Sequence, residues 1–303
     1  MIRLLLLIAA FLASAGSRAE DLRLALEHGG LAREFRVHVP ASYDPARPAP
    51  LLVALHGGGG NMDLQADDRL YGQVTASEQH GAIVLFPNGF SRLPGGRLAT
   101  WNAGNCCAQA RDRQVDDVGF IRAAVAIVRS RWNVDGARIY ATGMSNGAMM
   151  AYRLACDAAD LFAAIAPVAG TDNTRECRPS RPVSVLHIHA RDDTHVQFEG
   201  GAGPDSARIT AVTDYVSVPA TIAKWAGLDS CSAPPQRVLE RPGAYCELRA
   251  ACAGGSRVQL CVTEAGGHSW PGAVKRRGGT SPGPSQAISA NDVMWEFFER
   301  RAR

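Results

Sequence analysis

The sequence predicts an α/β fold in which helices cover both faces of a mostly parallel central sheet. Short apolar runs alternate along the chain with segments whose apolar residues recur at helical spacing. Strands that alternate with helices form a parallel sheet because each connecting helix returns the chain to the end of the sheet where the previous strand began. A Gly-Met-Ser-Asn-Gly motif at residues 143–147 lies between one such strand and one such helix. The length of the chain fits one large domain of this kind.

Apolar runs without polar interruption are typical of strands that are buried on both faces. These runs and other β-rich segments predict strands at residues 51–55, 82–86, 137–142, 162–168 and 183–189, followed by a hairpin at 246–248 and 258–261. Helical spacing predicts helices at residues 66–79, 117–132, 148 onwards, 212–226 and 291–300. Asp116 and Asp117 are expected to cap the second helix, since a carboxylate accepts hydrogen bonds from the unpaired N–H groups of a first turn.

Residues 1–19 have the features of a secretory signal peptide. A basic start precedes an apolar run at 4–12 and small residues, and cleavage after Ala15 or Ala19 fits equally well. A membrane span needs about 20 apolar residues, which this run does not reach, so a retained anchor is the weaker alternative. We therefore expect an exported protein, extracellular or periplasmic, in which residues 20–303 form a single domain.

Net charge limits the possible binding partners, and the cysteine content indicates how the cysteines are used. The formal net charge of +3 is small and dispersed, which argues against a nucleic-acid partner, and no second stretch is apolar enough to predict a membrane partner. Eight cysteines in an exported chain indicate disulfides rather than metal ligands.

The predicted hairpin sets Cys246 opposite Cys261. Opposed Cβ atoms of an antiparallel pair lie about 4.5–5.5 Å apart, close to the separation that a disulfide requires. Cys231 and Cys252 can then pair with each other. The sequence leaves the connectivity of four cysteines open, a bond between adjacent residues included: Cys106, Cys107, Cys156 and Cys177.

The motif at 143–147 has the form of a nucleophile elbow. At this sharp turn from strand to helix, a strained backbone holds the Ser145 hydroxyl above the edge of the sheet. Gly143 and Gly147 are expected because a Cβ atom at either position would collide with the neighbouring strand or helix. In this context the motif predicts a serine hydrolase with Ser145 as the nucleophile.

A serine hydroxyl needs a base that takes its proton and an acid that orients the base. On the α/β-hydrolase fold these residues follow in the order serine, acid, histidine. Asp192 and Asp193 come directly after the strand at 183–189, and His268 lies in a glycine-rich loop beyond the hairpin. Because sites in such sheets gather at the carboxyl ends of the strands, we expect these residues to meet Ser145 there. Spacing alone does not choose between the two aspartates.

The tetrahedral intermediate of ester hydrolysis needs N–H groups directed at its oxyanion. The backbone N–H of Asn146 is one candidate, because it starts the elbow helix and the positive end of that helix dipole faces the developing charge. The second is expected in the loop after the strand at 51–55, where Gly58 has no side chain to keep the substrate away. His56, at the start of this loop, is expected to shape it through hydrogen bonds to the backbone.

Two other functions are consistent with parts of the sequence. A metallohydrolase is the first, because possible zinc ligands cluster on one strand and in the loop after it: His187, His189, Asp192, Asp193 and His195. The spacing of these acids does not fit such a site, and zinc would leave the elbow serine without a role. A secreted binding protein without catalysis is the second, which the complete set of serine, aspartate and histidine disfavours. We therefore expect no metal and no cofactor.

Short motifs spread over nearly the whole mature chain form a specific combination: His-Gly-Gly at 56–58, Pro-Asn-Gly at 87–89, Trp-Asn at 101–102 with Cys-Cys at 106–107, Val-Asp-Asp-Val-Gly-Phe at 115–120, Gly-Met-Ser-Asn-Gly at 143–147, the stretch 189–196, and Gly-His-Ser-Trp-Pro-Gly at 267–272. This combination resembles the secreted poly(3-hydroxybutyrate) depolymerase and feruloyl/acetylxylan esterase family. The resemblance implies an α/β-hydrolase fold and ester hydrolysis without a metal or organic cofactor.

The family pattern His-Gly-Thr-Ala-Asp-x-x-Val-Pro-Tyr falls on residues 189–198, and the resemblance thereby implies that Asp193 is the acid. The chain departs from the pattern at four positions: Ala190, Arg191, Gln197 and Phe198. These departures leave the serine, aspartate and histidine in place but put the local wall of the substrate site in question.

The resemblance does not identify the ester. Depolymerases of solid polyester often carry a linker and a surface-binding domain, whereas this chain ends at its last predicted helix. We therefore expect soluble substrates: feruloyl or acetyl esters of plant polysaccharide, or short hydroxyalkanoate oligomers. Trp101 and Trp270 are expected to offer an aromatic or sugar-stacking wall, with ordinary packing beside the site as an equal alternative.

Overall fold

Ten strands form one sheet with helices on both faces, in a computed structural model that describes residues 18–206, 214–274 and 283–300. The strands are β1 (Glu20–His28), β2 (Leu31–Val39), β3 (Ala49–Leu55), β4 (Ile83–Pro87), β5 (Val134–Met144), β6 (Ala164–Val168), β7 (Ser184–Ala190), β8 (Gln236–Arg241), β9 (Ala244–Arg249) and β10 (Val258–Thr263). The α-helices are α1 (Met62–Gln65), α2 (Asp68–Tyr71), α3 (Gln73–His80), α4 (Ala108–Asp112), α5 (Asp117–Arg131), α6 (Asn146–Asp157), α7 (Val218–Leu228) and α8 (Ala290–Glu299).

The strand order across the sheet is β1-β2-β4-β3-β5-β6-β7-β10-β9-β8. The six central strands, from β4 to β10 in this order, pair in parallel. The strands at either end, β1 with β2 and β8 with β9, are antiparallel. The parallel centre confirms the predicted α/β fold, and it brings the carboxyl ends of β3, β5, β7 and β10 to one edge of the sheet.

The side chains of β3 alternate between two hydrophobic cores. Leu51, Val53 and Leu55 belong to the core that also contains residues of α5, α6 and α7. Leu52 and Ala54 belong to the core on the opposite face, which contains residues of α3 and α8. Because both faces of this strand are buried, the whole run must be apolar, as the sequence pattern indicates.

The helix predicted at 66–79 is wrong, because the structure has three short helices, α1 to α3, in this region. Asp67 caps the start of α2 with a hydrogen bond from the N–H group of Arg69. Gly72 then ends α2 at a φ of 63°, a conformation that glycine adopts without the strain of a side chain. Local turn chemistry therefore outweighs the helical spacing of the apolar residues.

The hairpin β1–β2 and the edge strand β8 are not among the strands predicted from the sequence. In β1, however, Leu22, Leu24 and Leu26 are half-buried and alternate with exposed residues. This alternation is typical of a strand with one solvent-facing side, so the sequence did carry a signal for the hairpin.

Two further predictions fall partly outside the described residues. The helix predicted at 212–226 corresponds to α7, whose first turn is capped by the Ser217 side chain, and residues 207–213 are not described. The signal peptide predicted at 1–19 rests on residues 1–17, which are not described either, and it stays a prediction. Among the residues that are described, no helix combines the length and apolar character needed to cross a membrane.

All eight cysteines are paired in disulfides. Cys246 lies opposite Cys261 in the β9–β10 ladder and is bonded to it, as the hairpin predicts. Cys231 is bonded to Cys252, which was the expected partner. The two pairs that the sequence left open are Cys106–Cys107 and Cys156–Cys177.

The two acidic residues at the start of α5 have different roles. Asp116 caps the helix by accepting a hydrogen bond from the Gly119 N–H at 2.9 Å, as predicted. The prediction for Asp117 is wrong, because its side chain is buried and accepts hydrogen bonds from Arg33 Nη2 at 2.7 Å and the Asn102 N–H at 2.8 Å. Burial raises the pKa of Asp117 despite these partners. The ion pair joins β2 to α5.

Candidate active site

A strained turn between β5 and α6 presents the Ser145 side chain. Ser145 has a φ of 56° and a ψ of −120°, a combination that residues with a side chain rarely adopt. Its N–H group donates to the Val168 carbonyl at the end of β6, at 2.9 Å. A Cβ atom at Gly143 would lie 2.6 Å from the carbonyl carbon of Gly147, and one at Gly147 would collide with the Leu55 carbonyl. The turn therefore has the form of a nucleophile elbow.

His268 and Asp193 form a hydrogen-bonded pair. His268 Nδ1 lies 2.8 Å from Asp193 Oδ2, while Oδ1 accepts hydrogen bonds from the His195 N–H at 2.8 Å and the Val196 N–H at 2.9 Å. Burial by itself raises the pKa of Asp193, but hydrogen bonds from His189 and His268 outweigh it and hold this pKa well below its usual value. The carboxylate is therefore ionised at neutral pH, and the ring nitrogen that faces it donates the hydrogen bond.

Asp192, the residue before Asp193, holds the loop that carries His268. Asp192 Oδ1 accepts a hydrogen bond from the Gly267 N–H at 2.8 Å, and Oδ2 accepts one from the Gly266 N–H at 3.3 Å. Of the two aspartates that the spacing left open, it is Asp193 whose carboxylate contacts the His268 ring.

A cleft of about 430 Å³ opens beside the elbow, and both Ser145 and His268 line it. Gly58 and Asn146 line the same cleft, whereas Asp193 is buried behind the His268 ring. The structure thus brings together five residues from four separate segments of the sequence, since Ser145 and Asn146 share the elbow.

The two predicted oxyanion donors lie on adjacent segments of this cleft. Asn146 is the first residue of α6, where backbone N–H groups have no partner within the helix. Its side chain is fixed against the backbone of Trp101, with Oδ1 accepting from the N–H at 2.7 Å and Nδ2 donating to the carbonyl at 3.2 Å. A Cβ atom at Gly58 would lie 3.5 Å from the Cβ of Asn146, so the two segments are in close contact.

Trp101 and Trp270 do not form the expected aromatic wall. Both are buried, and neither is among the described residues that line the cleft. Trp101 Nε1 donates to the His56 carbonyl at 2.9 Å, and the Trp101 ring packs on the His56 ring. The Trp270 ring packs edge-on against Tyr71, with 5.5 Å between the ring centroids. Both indoles are therefore buried in packing contacts beside the site.

The side chains that form the cleft wall were not predicted from the sequence. Tyr71 at the end of α2, Tyr215 before α7 and Leu98 in the loop after β4 line the cleft. Leu98 is 68% exposed and lies at the cleft mouth. No motif marks these three positions in the sequence. Phe198, which replaces the family tyrosine, is buried and is not among the described residues of the wall.

His56 is buried and holds its loop through the backbone, as predicted. Its Nδ1 lies 2.8 Å from the Gly57 carbonyl, and its Nε2 accepts a hydrogen bond from the Gly89 N–H at 2.9 Å. Since a carbonyl only accepts and an N–H only donates, the ring is neutral with its proton on Nδ1. Burial lowers the pKa of His56 to about 4, in agreement with this state.

The His187–His189 pair does not form the metal site that the alternative function requires. The two rings are buried on one face of β7, and His187 Nε2 lies 3.0 Å from His189 Nδ1. The outer nitrogens contact the Tyr152 hydroxyl and the Val196 carbonyl, both at 2.8 Å. Elsewhere in the described residues, the possible metal ligands that cluster are Cys156, Asp172 and Cys177. The two cysteines of this group form a disulfide and cannot act as thiolate ligands.

Residues 36–234 match the protein family described as "Esterase PHB depolymerase". The chain is 33% identical over 243 residues to feruloyl esterase B of Piromyces equi, which covers 78% of this chain and 42% of that protein. It is 31% identical over 277 residues to putative esterase NocK of Nocardia uniformis subsp. tsuyamanensis, with 87% of this chain and 76% of that protein covered. The chain thus spans less than half the length of the first relative and about three quarters of the second.

Solved structures share the fold. An acetyl xylan esterase from Aspergillus awamori superposes with a TM-score of 0.58 at 18% identity, over 88% of this chain and 94% of the other. The native structure of pOPH superposes with a TM-score of 0.56 at 16% identity, over 85% and 84% of the two chains. At these identities the similarity shows the fold alone, which is that of the α/β-hydrolases.

Proposed function

The chain belongs to the esterase PHB depolymerase family, and from this premise we propose that it is an exported serine carboxylic-ester hydrolase. The observation that carries the proposal is the shared cleft: the strained Ser145 and the His268 ring line it, and Asp193 lies 2.8 Å from His268 Nδ1. These residues follow β5, β10 and β7, whose carboxyl ends lie at one edge of the sheet.

In the proposed mechanism, His268 Nε2 takes the proton of Ser145 as the hydroxyl oxygen attacks the ester carbonyl carbon. Asp193 holds the resulting imidazolium through its Nδ1–H group. The backbone N–H groups of Asn146 and Gly58 donate to the oxyanion of the tetrahedral intermediate. His268 then gives its proton to the leaving alcohol, and an acyl-serine remains. Water attacks the acyl carbon with His268 again as base, and Ser145 leaves with its proton restored.

We propose esters with an apolar acyl group as substrates. The wall of Tyr71, Leu98 and Tyr215 offers aromatic and aliphatic surface beside Ser145. Relatives are named as feruloyl esterases and the family as PHB depolymerases, which makes feruloyl esters and short hydroxyalkanoate esters the candidates. Acetyl esters of polysaccharide are the alternative substrates, and their smaller acyl group would contact less of this wall.

Export is part of the proposal. The predicted signal peptide at 1–19 would direct the chain out of the cytoplasm, and four disulfides persist in oxidising compartments. We propose the ester substrate as the partner, with no metal and no cofactor in the reaction and no nucleic-acid or membrane partner.

A fluorophosphonate tests the mechanism, because it reacts with a serine that a neighbouring base activates. We expect modification of Ser145, located by mass spectrometry, together with loss of p-nitrophenyl acetate hydrolysis. Ser145→Ala should lower kcat by about a thousandfold or more. Ser206, which lines the same cleft, provides the matched control, and Ser206→Ala should keep both labelling and activity. Activity that survives Ser145→Ala and is lost with a chelator would instead support the metallohydrolase.

A substrate panel tests the acyl preference: methyl ferulate, acetylated xylan, p-nitrophenyl esters of increasing chain length, and hydroxybutyrate oligomers. The apolar wall predicts a higher kcat/KM for methyl ferulate or for longer acyl chains than for acetyl esters. A clear preference for acetyl esters would contradict the proposed substrate class while leaving the serine mechanism in place.

A further inference from the structure

A line of polar contacts runs from the Asp193 carboxylate into the core, through side chains that the proposed mechanism does not use. His189 Nε2 lies 3.3 Å from Asp193 Oδ2 and 2.8 Å from the Val196 carbonyl. His189 Nδ1 lies 3.0 Å from His187 Nε2, and His187 Nδ1 lies 2.8 Å from the Tyr152 hydroxyl. The side chains of this line are buried.

The carbonyl at one end places a proton on His189 Nε2. Because the Val196 oxygen can only accept, Nε2 must donate to it. His187 Nε2 faces His189 Nδ1, and His187 Nδ1 faces the Tyr152 hydroxyl. Burial, and next the neighbouring ring, lower the pKa of His187 well below its usual value, so this ring stays neutral. His189 Nε2 is thus a donor that lies beside the Asp193 carboxylate.

The two oxygens of Asp193 are held differently. Oδ1 accepts two hydrogen bonds from backbone N–H groups, which fix that oxygen but leave the plane of the carboxylate to be set at Oδ2. Oδ2 faces the rings of His268 and His189. The Nε2 group of His189, 3.3 Å from Oδ2, is a second donor beside this oxygen and stabilises the carboxylate.

We propose that His189 is a positioning residue, whose Nε2–H group, held by His187 and Tyr152, orients the Asp193 carboxylate towards His268. The proposal rests on the serine-hydrolase function above. His189 lies near the end of β7, four residues before Asp193, so donor and acceptor belong to one strand end and its following turn. This gives the His-x-His pair a role that needs no metal.

Two substitutions at residue 189 test the proposal. His189→Gln keeps an N–H donor near the position of Nε2, whereas His189→Leu removes it. Active sites are first counted by fluorophosphonate titration, so that kcat refers to folded, reactive molecules. For His189→Leu we expect kcat per titrated site to fall about 10- to 100-fold with KM changed less than about threefold, because the N–H group beside the charged carboxylate is lost. His189→Gln should stay within about fivefold of the wild type.

Tyr152→Phe tests the far end of the line and keeps the ring that fills the core. It should lower kcat per site about threefold, again without a matching change in KM. The proposal is overturned if kcat per titrated site is unchanged in His189→Leu, or if His189→Gln loses as much as His189→Leu. Should His189→Leu fail to fold, an unchanged kcat in Tyr152→Phe overturns it as well. A wild-type protein that takes no label would instead refute the hydrolase function.

Discussion

His268 Nδ1 lies 2.8 Å from Asp193 Oδ2, although the two residues are 75 positions apart in the sequence. Asp193 follows β7 and His268 follows β10, and these two strands are parallel neighbours in the sheet. Their carboxyl ends therefore meet at one edge, which is where the elbow after β5 also lies. The order of the strands thus determines the contact between His268, the proposed base, and Asp193, the proposed acid.

Asp193→Asn should lower kcat for p-nitrophenyl acetate by about ten-thousandfold. An amide in place of the carboxylate can donate a hydrogen bond to His268 Nδ1. The ring proton then lies on Nε2, and this nitrogen can no longer take the proton of Ser145. Asp192→Asn is the matched control, because its remaining oxygen can still accept from the Gly267 N–H. We expect this variant to stay within about tenfold of the wild type. Equal losses in both variants would argue that the carboxylates only shape the loop.

Stability should decrease as the pH falls from about 6.5 to about 4. Burial lowers the pKa of His56 to about 4, whereas in the unfolded chain it is about 6.5. Between these values the unfolded state binds the proton and the folded state does not. The free energy of unfolding should therefore drop by up to roughly 3 kcal/mol for this group, with the loss complete below pH 4.

Urea unfolding at a series of pH values measures this dependence. His56→Gln removes the titrating ring while its oxygen can still accept from the Gly89 N–H, so this variant should show a shallower slope. His187, whose pKa is also lowered by burial, contributes with the same sign, and some slope should remain. A slope in His56→Gln equal to that of the wild type would show that His56 does not titrate as expected.

Removal of the Cys246–Cys261 disulfide should destabilise the fold without changing catalysis. The bond closes a loop with a sequence separation of 15, and loops of this size correspond to about 3 kcal/mol of stabilisation. The double variant Cys246→Ala/Cys261→Ala should lose a comparable free energy of unfolding in urea. Its kcat per titrated site should match the wild type, because the bond lies within the β9–β10 pair rather than at the cleft. An unchanged unfolding midpoint would contradict this expectation.

Leu98→Ala should change the preference for acyl groups. Leu98 lines the cleft mouth, and the lost apolar surface should lower kcat/KM for methyl ferulate by about three- to tenfold. Hydrolysis of p-nitrophenyl acetate should be unaffected, since the acetyl group is too short to reach the mouth. Leu93→Ala is the matched control: Leu93 is 43% exposed on the same loop and is not among the described residues of the cleft. If both variants lower kcat/KM equally, Leu98 does not contact the acyl group.

Several features of the fold were predictable because they depend on neighbours in the sequence. The strand at 183–189 is visible as a short apolar-rich run, and the elbow around Ser145 combines a strand, a tight turn and a helix within a few residues. The bond between Cys246 and Cys261 follows from the register of a single hairpin. Periodicity and turn chemistry act over short distances, so the local sequence determined these elements and the order of serine, acid and histidine.

Other features depend on residues that meet only when the chain is folded. Spacing left Asp192 and Asp193 as equal candidates and the family pattern favoured Asp193, but the contact itself depends on the packing of β7 against β10, which brings Asp193 to His268. Trp101 and Trp270 are buried against residues that are distant in the sequence, which no local pattern reveals. The cleft wall is assembled from separate loops for the same reason. Burial and cavity shape are properties of the folded surface, and tertiary structure alone decided them.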